Sequence, residues 1–322
     1  MSFVISLLLL LAGFALLIKG ADFFVDGSVM LAKKLKIPSL IVGLTIVAMG
    51  TSAPELAVSV SSAVSGSNGL AVSNVIGSNL FNLLMVLGVC SIISPLPVSE
   101  EVIKKDYPVS AAAMLLFVVF IVGGVLGRLE AAVLFAGLVV YIIFSIRSAR
   151  SNPAADSNEN VDPGFTFAPL RCILCIVGGI AGIVIGGQLV VDNAQAIALS
   201  FGMSETLTGL TICAMGTSLP ELVTSVTAAK RNETEMAVGN VVGSNIFNAL
   251  GILGVSGVIT PINLAAAGDG SDMNAMIDGI ILVIVSIIAF TCCKTSRKIT
   301  RGEGIALVLI YAAYMTFIVI RN

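Results

Sequence analysis

The chain has 322 residues, of which 57% are hydrophobic and only 11% charged, and its mean hydropathy is +1.05. Too few polar groups are present to cover a soluble surface, so the composition marks an integral membrane protein, all α-helical, with membrane lipid as its main surroundings. A net charge of −2 supplies no basic field for a nucleic acid.

Apolar stretches long enough to cross a bilayer predict roughly ten helices. The first, near residues 3–33, lacks a basic leader segment and its sequence recurs later, so it is read as a retained helix and not a signal peptide. It carries Lys19, Asp22 and Asp26; the two aspartates share a face, but Lys19 and Asp22 have no charged counterparts at Ile185 and Gln188, so an interfacial or ion-entry role is the less favoured reading. The second (39–64) contains "GTSAPE", Gly50 to Glu55, and the third (70–93) contains "NVIGSNLFN", Asn74 to Asn82. Two more, near 107–126 and 129–147, precede a polar segment at 148–165 that includes "SNPAADSNENVDPG" and is too short for a regulatory domain. Five further stretches follow, near 168–199, 205–229, 236–259, 275–293 and 303–320. They contain "GTSLPE" (Gly216 to Glu221) and "NVVGSNIFN" (Asn240 to Asn248). The loop "GDGSD" with Asp269 and Asp272 lacks the ligand count of an EF-hand and reads as solvated. Cys90 and Cys213 read as small core residues; Cys172 with Cys175, and Cys292 with Cys293, read as packing, with metal or redox pairing as the alternative.

At a constant offset of 166 the two halves align without a gap from Gly20/Gly186 to Pro95/Pro261, with Asp26 on Asp192 and Gly88 on Gly254. The expected organisation is therefore a first five-helix repeat at 1–147, a linker at 148–165 and a second repeat at 166–322, with the repeated motifs at 43–88 and 209–254. An odd number of helices per copy places the second copy upside down in the membrane. Lys and Arg placement points the same way. With both termini outside, the inner loops and linker hold Lys33, Lys34, Lys36, Lys104, Lys105, Arg147, Arg150, Arg171, Lys230, Arg231, Lys294, Arg297, Lys298 and Arg301, whereas the outer side holds Arg128 and Arg321.

The repeated words have a physical meaning in that setting. Pro54 and Pro220 lack an N–H, so the carbonyls of Gly50 and Gly216 lose their helical partners. A break of this kind is tolerated within a membrane only where it is buried in protein or lines a watered cavity, and freed carbonyls there can hold cations. Helical spacing places Thr51 with Glu55, and Thr217 with Glu221, on one face, with Ser52 and Ser218 alongside. Ser78 with Asn82, and Ser244 with Asn248, form two more polar stripes, and Gly77 and Gly243 are expected to let helices approach closely. Ser78, Asn74, Asn79 and their counterparts, taken alone, read equally well as interhelical glue. The glutamates do not, since an ionised side chain at helix centre costs ~2.5–3.5 kcal/mol on insertion scales, and here that cost falls in two matching places. The donors are oxygens and the chain has no histidine, which suits a hard cation such as Ca²⁺ rather than Zn²⁺ or Cu⁺.

The paired "GTS-x-PE" and "GSN-x-F-N" words resemble the alpha repeats of the calcium/cation antiporter superfamily, and the short linker makes the chain look like a prokaryotic Na⁺/Ca²⁺ exchanger. The resemblance implies ten helices with Ca²⁺ held by Glu55, Glu221, Thr51 and Thr217. It further implies Na⁺ sites from the carbonyls of Ala48 and Ala214 with Ser52, Ser78, Ser218 and Ser244, and a central diamond completed by Asn82 and position 248. The first and sixth helices are expected to slide against the other eight. Position 248 is Asn where several such exchangers carry an acid, so one titratable group is missing.

The expected function is secondary antiport of Na⁺ for Ca²⁺ across the cell membrane by alternating access, by a monomer, with no cofactor and no enzymatic activity. H⁺/Ca²⁺ antiport and a K⁺-dependent variant are the alternatives within transport. A passive cation channel has no need of two mirrored helix breaks. An intramembrane hydrolase has no histidine for a Ser–His pair or a zinc site.

Overall fold

The computed structural model describes residues 3–122, 124–151, 167–203, 208, 212, 214–263 and 271–321. Most of the linker, Cys213 and Asp269 lie outside these residues. In chain order the helices are α1 (Phe3–Leu35), α2 (Ser39–Thr51), α3 (Ala53–Val64), α4 (Asn68–Ile93), α5 (Tyr107–Val122), α6 (Arg128–Ser151), α7 (Pro169–Ser200), α8 (Ala214–Gly216), α9 (Leu219–Lys230), α10 (Thr234–Ile259), α11 (Ser271–Ser296) and α12 (Arg301–Arg321). Helices satisfy their own backbone donors and acceptors, which lipid cannot do. Seven are long and apolar enough to span a bilayer among the described residues, and α2 with α3, bent by 48°, makes an eighth. Helix α5 has 16 residues and is shorter than that measure, and the stretch ahead of α8 falls largely outside the described residues.

Burial sorts the long helices into layers. In α4 and α10, 72% and 83% of the apolar span is buried, against 22–39% in the other five, so this pair runs through the centre and the rest face outward. Helix α1 lies along α7 in the opposite direction: Gly13 meets Gly186, Gly20 meets Gly182, and Gly27 meets Ile176. A Cβ on Gly20 would stand 2.6 Å from the Ile183 nitrogen, so the backbones meet at a distance that only glycine permits.

The halves correspond element by element. Helix α9 begins and ends 166 residues after α3, and α10 does the same after α4. Lys36 and Gly202, and likewise Gly66 and Asn232, occupy matching left-handed turn positions. Two short antiparallel pairs join the halves: Leu96–Pro97 with Lys298–Ile299, and Val125–Leu126 with Ile262–Asn263. Of the glycines expected to permit close approach, Gly243 does so, since a Cβ there would lie 2.5 Å from the Leu44 carbonyl oxygen. Gly77 has nothing within 4 Å among the described residues, and the residue matching Leu44 in the second half, at 210, lies outside them.

Charged groups on α1 are tied to the second half. Arg231, which caps the C-terminal end of α9, hydrogen-bonds Asp26, and it hydrogen-bonds Asp22 at 2.9 Å; Lys19 stands 3.7 Å from Asp22. The matching place in the first half is Ser65, and there Asp192 accepts instead from Gln188 at 2.7 Å. Asp22 and Asp26 thus serve as an interhelical ion-pair platform.

Candidate cation-binding site

The helix breaks fall at Ser52 (φ −84°, ψ 11°) and Ser218 (φ −93°, ψ 5°), with Pro54 and Pro220 in the first turn of the helices that follow. Proline is at home there, because first-turn N–H groups have no intrahelical acceptor. The bend turns the hydroxyls of Ser52 and Ser218 and the carboxylates of Glu55 and Glu221 inward; all four residues are fully buried.

Their hydrogen bonds cross between halves. The Ser52 hydroxyl donates to Glu221 Oε1 at 2.7 Å, and the Ser218 hydroxyl donates to Glu55 Oε1 at 3.0 Å. Thr51 reaches Asn240 Oδ1 at 3.2 Å and Thr217 reaches Asn74 Oδ1 at 3.5 Å. Asn74 Nδ2 donates to the Glu55 carbonyl (3.2 Å) and to Ser59 (2.8 Å), and Asn240 Nδ2 donates to Ser225 (2.9 Å). The Ala48 carbonyl accepts from the Ser52 N–H at 3.0 Å and lies 3.3 Å from the Thr51 hydroxyl; Ala214 opens helix α8.

Two π-helical segments, Asn82–Val86 and Phe247–Ile252, interrupt α4 and α10 at the asparagines, and a third, Gly43–Val47, precedes the first break. Widened turns of this kind recur at functional sites. Asn82 Nδ2 donates to Asn245 Oδ1 at 3.1 Å, and Asn248 Nδ2 donates to Asn79 Oδ1 at 3.0 Å. Ser78 lies beside Glu55 without an aligned hydrogen bond.

Six of the unpaired buried atoms belong to the repeated words and are oxygens: Glu55 Oε2, Glu221 Oε2, Ser78 Oγ, Ser244 Oγ, Asn82 Oδ1 and Asn248 Oδ1 have no hydrogen-bond partner among the described residues. Among the described residues neither glutamate forms an ion pair with Lys or Arg. Leaving a buried polar atom unmade costs about 1–3 kcal/mol, more when charged. Carboxylate, hydroxyl and amide oxygens gathered in one place suit a hard cation with six or more oxygen ligands. Among the described residues no cluster of three His, Cys, Asp or Glu is present.

Hydrogen bonds thus join Ser52 and Thr51 of one half to Glu221 and Asn240 of the other, Ser218 and Thr217 to Glu55 and Asn74, and Asn82 and Asn248 to Asn245 and Asn79. Sequence reasoning had not singled out Ser59 and Ser225, although each follows its glutamate by four residues and so shares its face. Cys90, Cys172 and Cys293 are buried, and no disulfide joins the described cysteines.

The class defined by this arrangement is a multi-pass membrane protein with an oxygen-lined interior. A profile of the family described as sodium/calcium exchanger protein matches residues 5–147 and 172–320. The chain is 36% identical over 316 residues to a putative antiporter, CaxA, of Alkalimonas amylolytica, covering 96% of this chain and 97% of that protein. It is 30% identical over 351 residues to the sodium/calcium exchanger MaX1 of Methanosarcina acetivorans, covering 97% of each. The solved structure of the sodium-calcium exchanger NCX_Mj superposes with a TM-score of 0.81 at 30% identity, covering 97% of this chain and 98% of that one. The protein belongs to the sodium/calcium exchanger family, whose members are cation/Ca²⁺ antiporters.

Proposed function

We propose that the protein exchanges Na⁺ for Ca²⁺ by alternating access. The observation that carries this reading is the set of six unpartnered buried oxygens on Glu55, Glu221, Ser78, Ser244, Asn82 and Asn248. In this reading Glu55 and Glu221 hold Ca²⁺ with Thr51 and Thr217. Na⁺ uses Ser52, Ser78, Ser218 and Ser244 with the carbonyls of Ala48 and Ala214, the Thr51 hydroxyl turning away from Ala48. Asn82 and Asn248 complete the centre with neutral oxygens.

Two ionised glutamates present about −2 charge, which one Ca²⁺ or a set of Na⁺ ions neutralises. Carrying the empty site across a low-dielectric core is penalised, so exchange is obligatory. With three Na⁺ entering per Ca²⁺, a tenfold Na⁺ gradient supplies ~4 kcal/mol, and the one net charge adds ~2.3 kcal/mol per 100 mV. Together these sustain a Ca²⁺ gradient above roughly ten-thousandfold.

The architecture in this reading is ten helices in two inverted repeats, residues 1–147 and 166–322, joined by a cytoplasmic linker at 148–165, with both termini outside. The gap-free offset, the antiparallel course of α1 and α7, and the Lys/Arg asymmetry support it. Helices α1 and α7 move together against the rest, and the carrier works as a monomer in lipid, without cofactor or catalysis.

The test is Ca²⁺-loaded vesicles containing the purified protein. An inward Na⁺ gradient should drive Ca²⁺ out, and a matched choline gradient should not. Efflux driven by a pH gradient alone would make the exchange H⁺/Ca²⁺, a K⁺ requirement would make it K⁺-dependent, and uncoupled flux would make the protein a channel.

A further inference from the structure

The amide of asparagine has two ends of nearly equal shape and opposite chemistry, an acceptor oxygen and a donor NH₂. At an ion site the difference is decisive, because a cation needs the oxygen and is repelled by the NH₂. Asn82 and Asn248, which complete the centre in the ion-site reading, are both fully buried, and among the described residues each presents its oxygen without a partner. Their NH₂ groups point the other way and are held by one residue each: Asn248 by Asn79, at 3.0 Å, and Asn82 by Asn245, at 3.1 Å.

We propose that Asn79 and Asn245 are positioning residues that fix the amide orientation of Asn248 and Asn82, so that these two positions offer neutral carbonyl oxygens to the transported cation. The proposal rests on the ion-site reading above and adds two residues to it. Turning the Asn248 amide over would set its oxygen against Asn79 Oδ1 at about 3.0 Å, acceptor against acceptor, and put its NH₂ where the unpartnered oxygen now stands. In the ion-site reading an NH₂ there would replace an oxygen ligand and repel the cation. Asn79 stabilises the orientation that leaves the site open.

Asn79 is fully buried and spends its side-chain oxygen on Asn248, while among the described residues its Nδ2 has no partner. Asn245 is steadied by its Nδ2, which lies 3.5 Å from the Asn79 carbonyl, so the two positioning residues also touch each other. The two copies match at the offset of 166 residues, Asn79 with Asn245 and Asn82 with Asn248.

The experiment is Ca²⁺ transport by the full chain in vesicles, comparing Asn79→Leu, Asn79→Asp, Asn248→Ala, the pair Asn79→Leu/Asn248→Ala, and Glu55→Gln. Loss of the acceptor in Asn79→Leu should raise the Ca²⁺ KM roughly tenfold while the maximal rate stays within about twofold. Asn79→Asp keeps an acceptor oxygen and should stay near wild type. With Asn248 already truncated, adding Asn79→Leu should change KM less than about twofold, because the effect runs through Asn248. The inference is overturned if Asn79→Leu leaves KM unchanged, if it lowers only the maximal rate, or if its effect adds in full to that of Asn248→Ala. Should Asn79→Leu fail to fold, Asn245→Leu read against Asn82→Ala applies the same criterion. Glu55→Gln separates the two levels: if it loses transport while the Asn79 series behaves additively, only this inference falls. If Glu55→Gln transports like wild type, the ion-site reading and this inference fall together.

Discussion

Arg231, at the C-terminal end of α9, donates to both Asp22 and Asp26 of α1, and the matching position in the other half is Ser65, which has no charge to offer. The fastening between α1 and the second half therefore has no ionic twin. If α1 and α7 move against the rest, this pair parts once per cycle. The groups are 29–46% exposed, so each bond contributes no more than about 1 kcal/mol. Arg231→Gln removes both bonds and should shift the resting population toward the state the pair opposes, by about thirtyfold at most. The expected sign is a lower Ca²⁺ KM on the face where Arg231 lies, the cytoplasmic one in the proposed orientation, with no such fall on the other face. Equal KM values for mutant and wild type on both faces would show that the pair does not part during transport.

Ca²⁺ binding should protect the protein against heat, and the two carboxylates should account for most of that protection. At Ca²⁺ about 100 times its Kd, stabilisation is ~2.7 kcal/mol. Glu55→Gln and Glu221→Gln should each lose it while melting near the wild-type temperature without Ca²⁺. Melting of the purified variants with and without Ca²⁺ reads this directly, and undiminished protection in either would remove that glutamate from the site.

The α1–α7 contact should tolerate no added carbon. Gly20→Ala places a Cβ 2.6 Å from the Ile183 nitrogen, an overpacking that costs about 1–3 kcal/mol. Gly178→Ala, on α7 with nothing within 4 Å, is the matched control and should melt at the wild-type temperature or slightly above. Equal melting of the two variants would mean that α1 and α7 separate easily.

A cysteine at Asn158 should be shielded from an impermeant thiol reagent applied to intact cells, and one at Asn68 should react, in a background without the six native cysteines. Labelling of the Asn158 site from outside would reverse the orientation and remove the Lys/Arg support for inversion.

Much of the centre was legible because it is written twice. Nearly identical words at a fixed offset singled out Glu55, Ser78, Asn82 and their counterparts, and an intramembrane glutamate repeated in place is hard to explain by packing alone. Three features were not legible. The π-helical turns at Asn82–Val86 and Phe247–Ile252 leave no compositional trace, since a single widened turn depends on tertiary packing. The partners of Asn79 and Asn245 lie 169 and 163 residues away on other helices, beyond the reach of any spacing rule. The grip of Arg231 on Asp22 and Asp26 likewise spans 209 and 205 residues, so on α1 alone the aspartates had no visible purpose.

The exchanged serines have a consequence for how such a protein can be divided. Each glutamate takes its hydroxyl from the opposite half, Glu221 from Ser52 and Glu55 from Ser218, so neither half contains a finished cage. Cutting the chain within 152–166 leaves every one of those bonds in place, and two co-expressed fragments have all they need to reassemble. In the proposed inverted architecture, a product shortened to one half would need a sister molecule threaded through the bilayer the other way up, and in that symmetric pair every substitution would strike both sides of the cage at once. One chain that carries both halves lets matched positions differ, as Arg231 and Ser65 do.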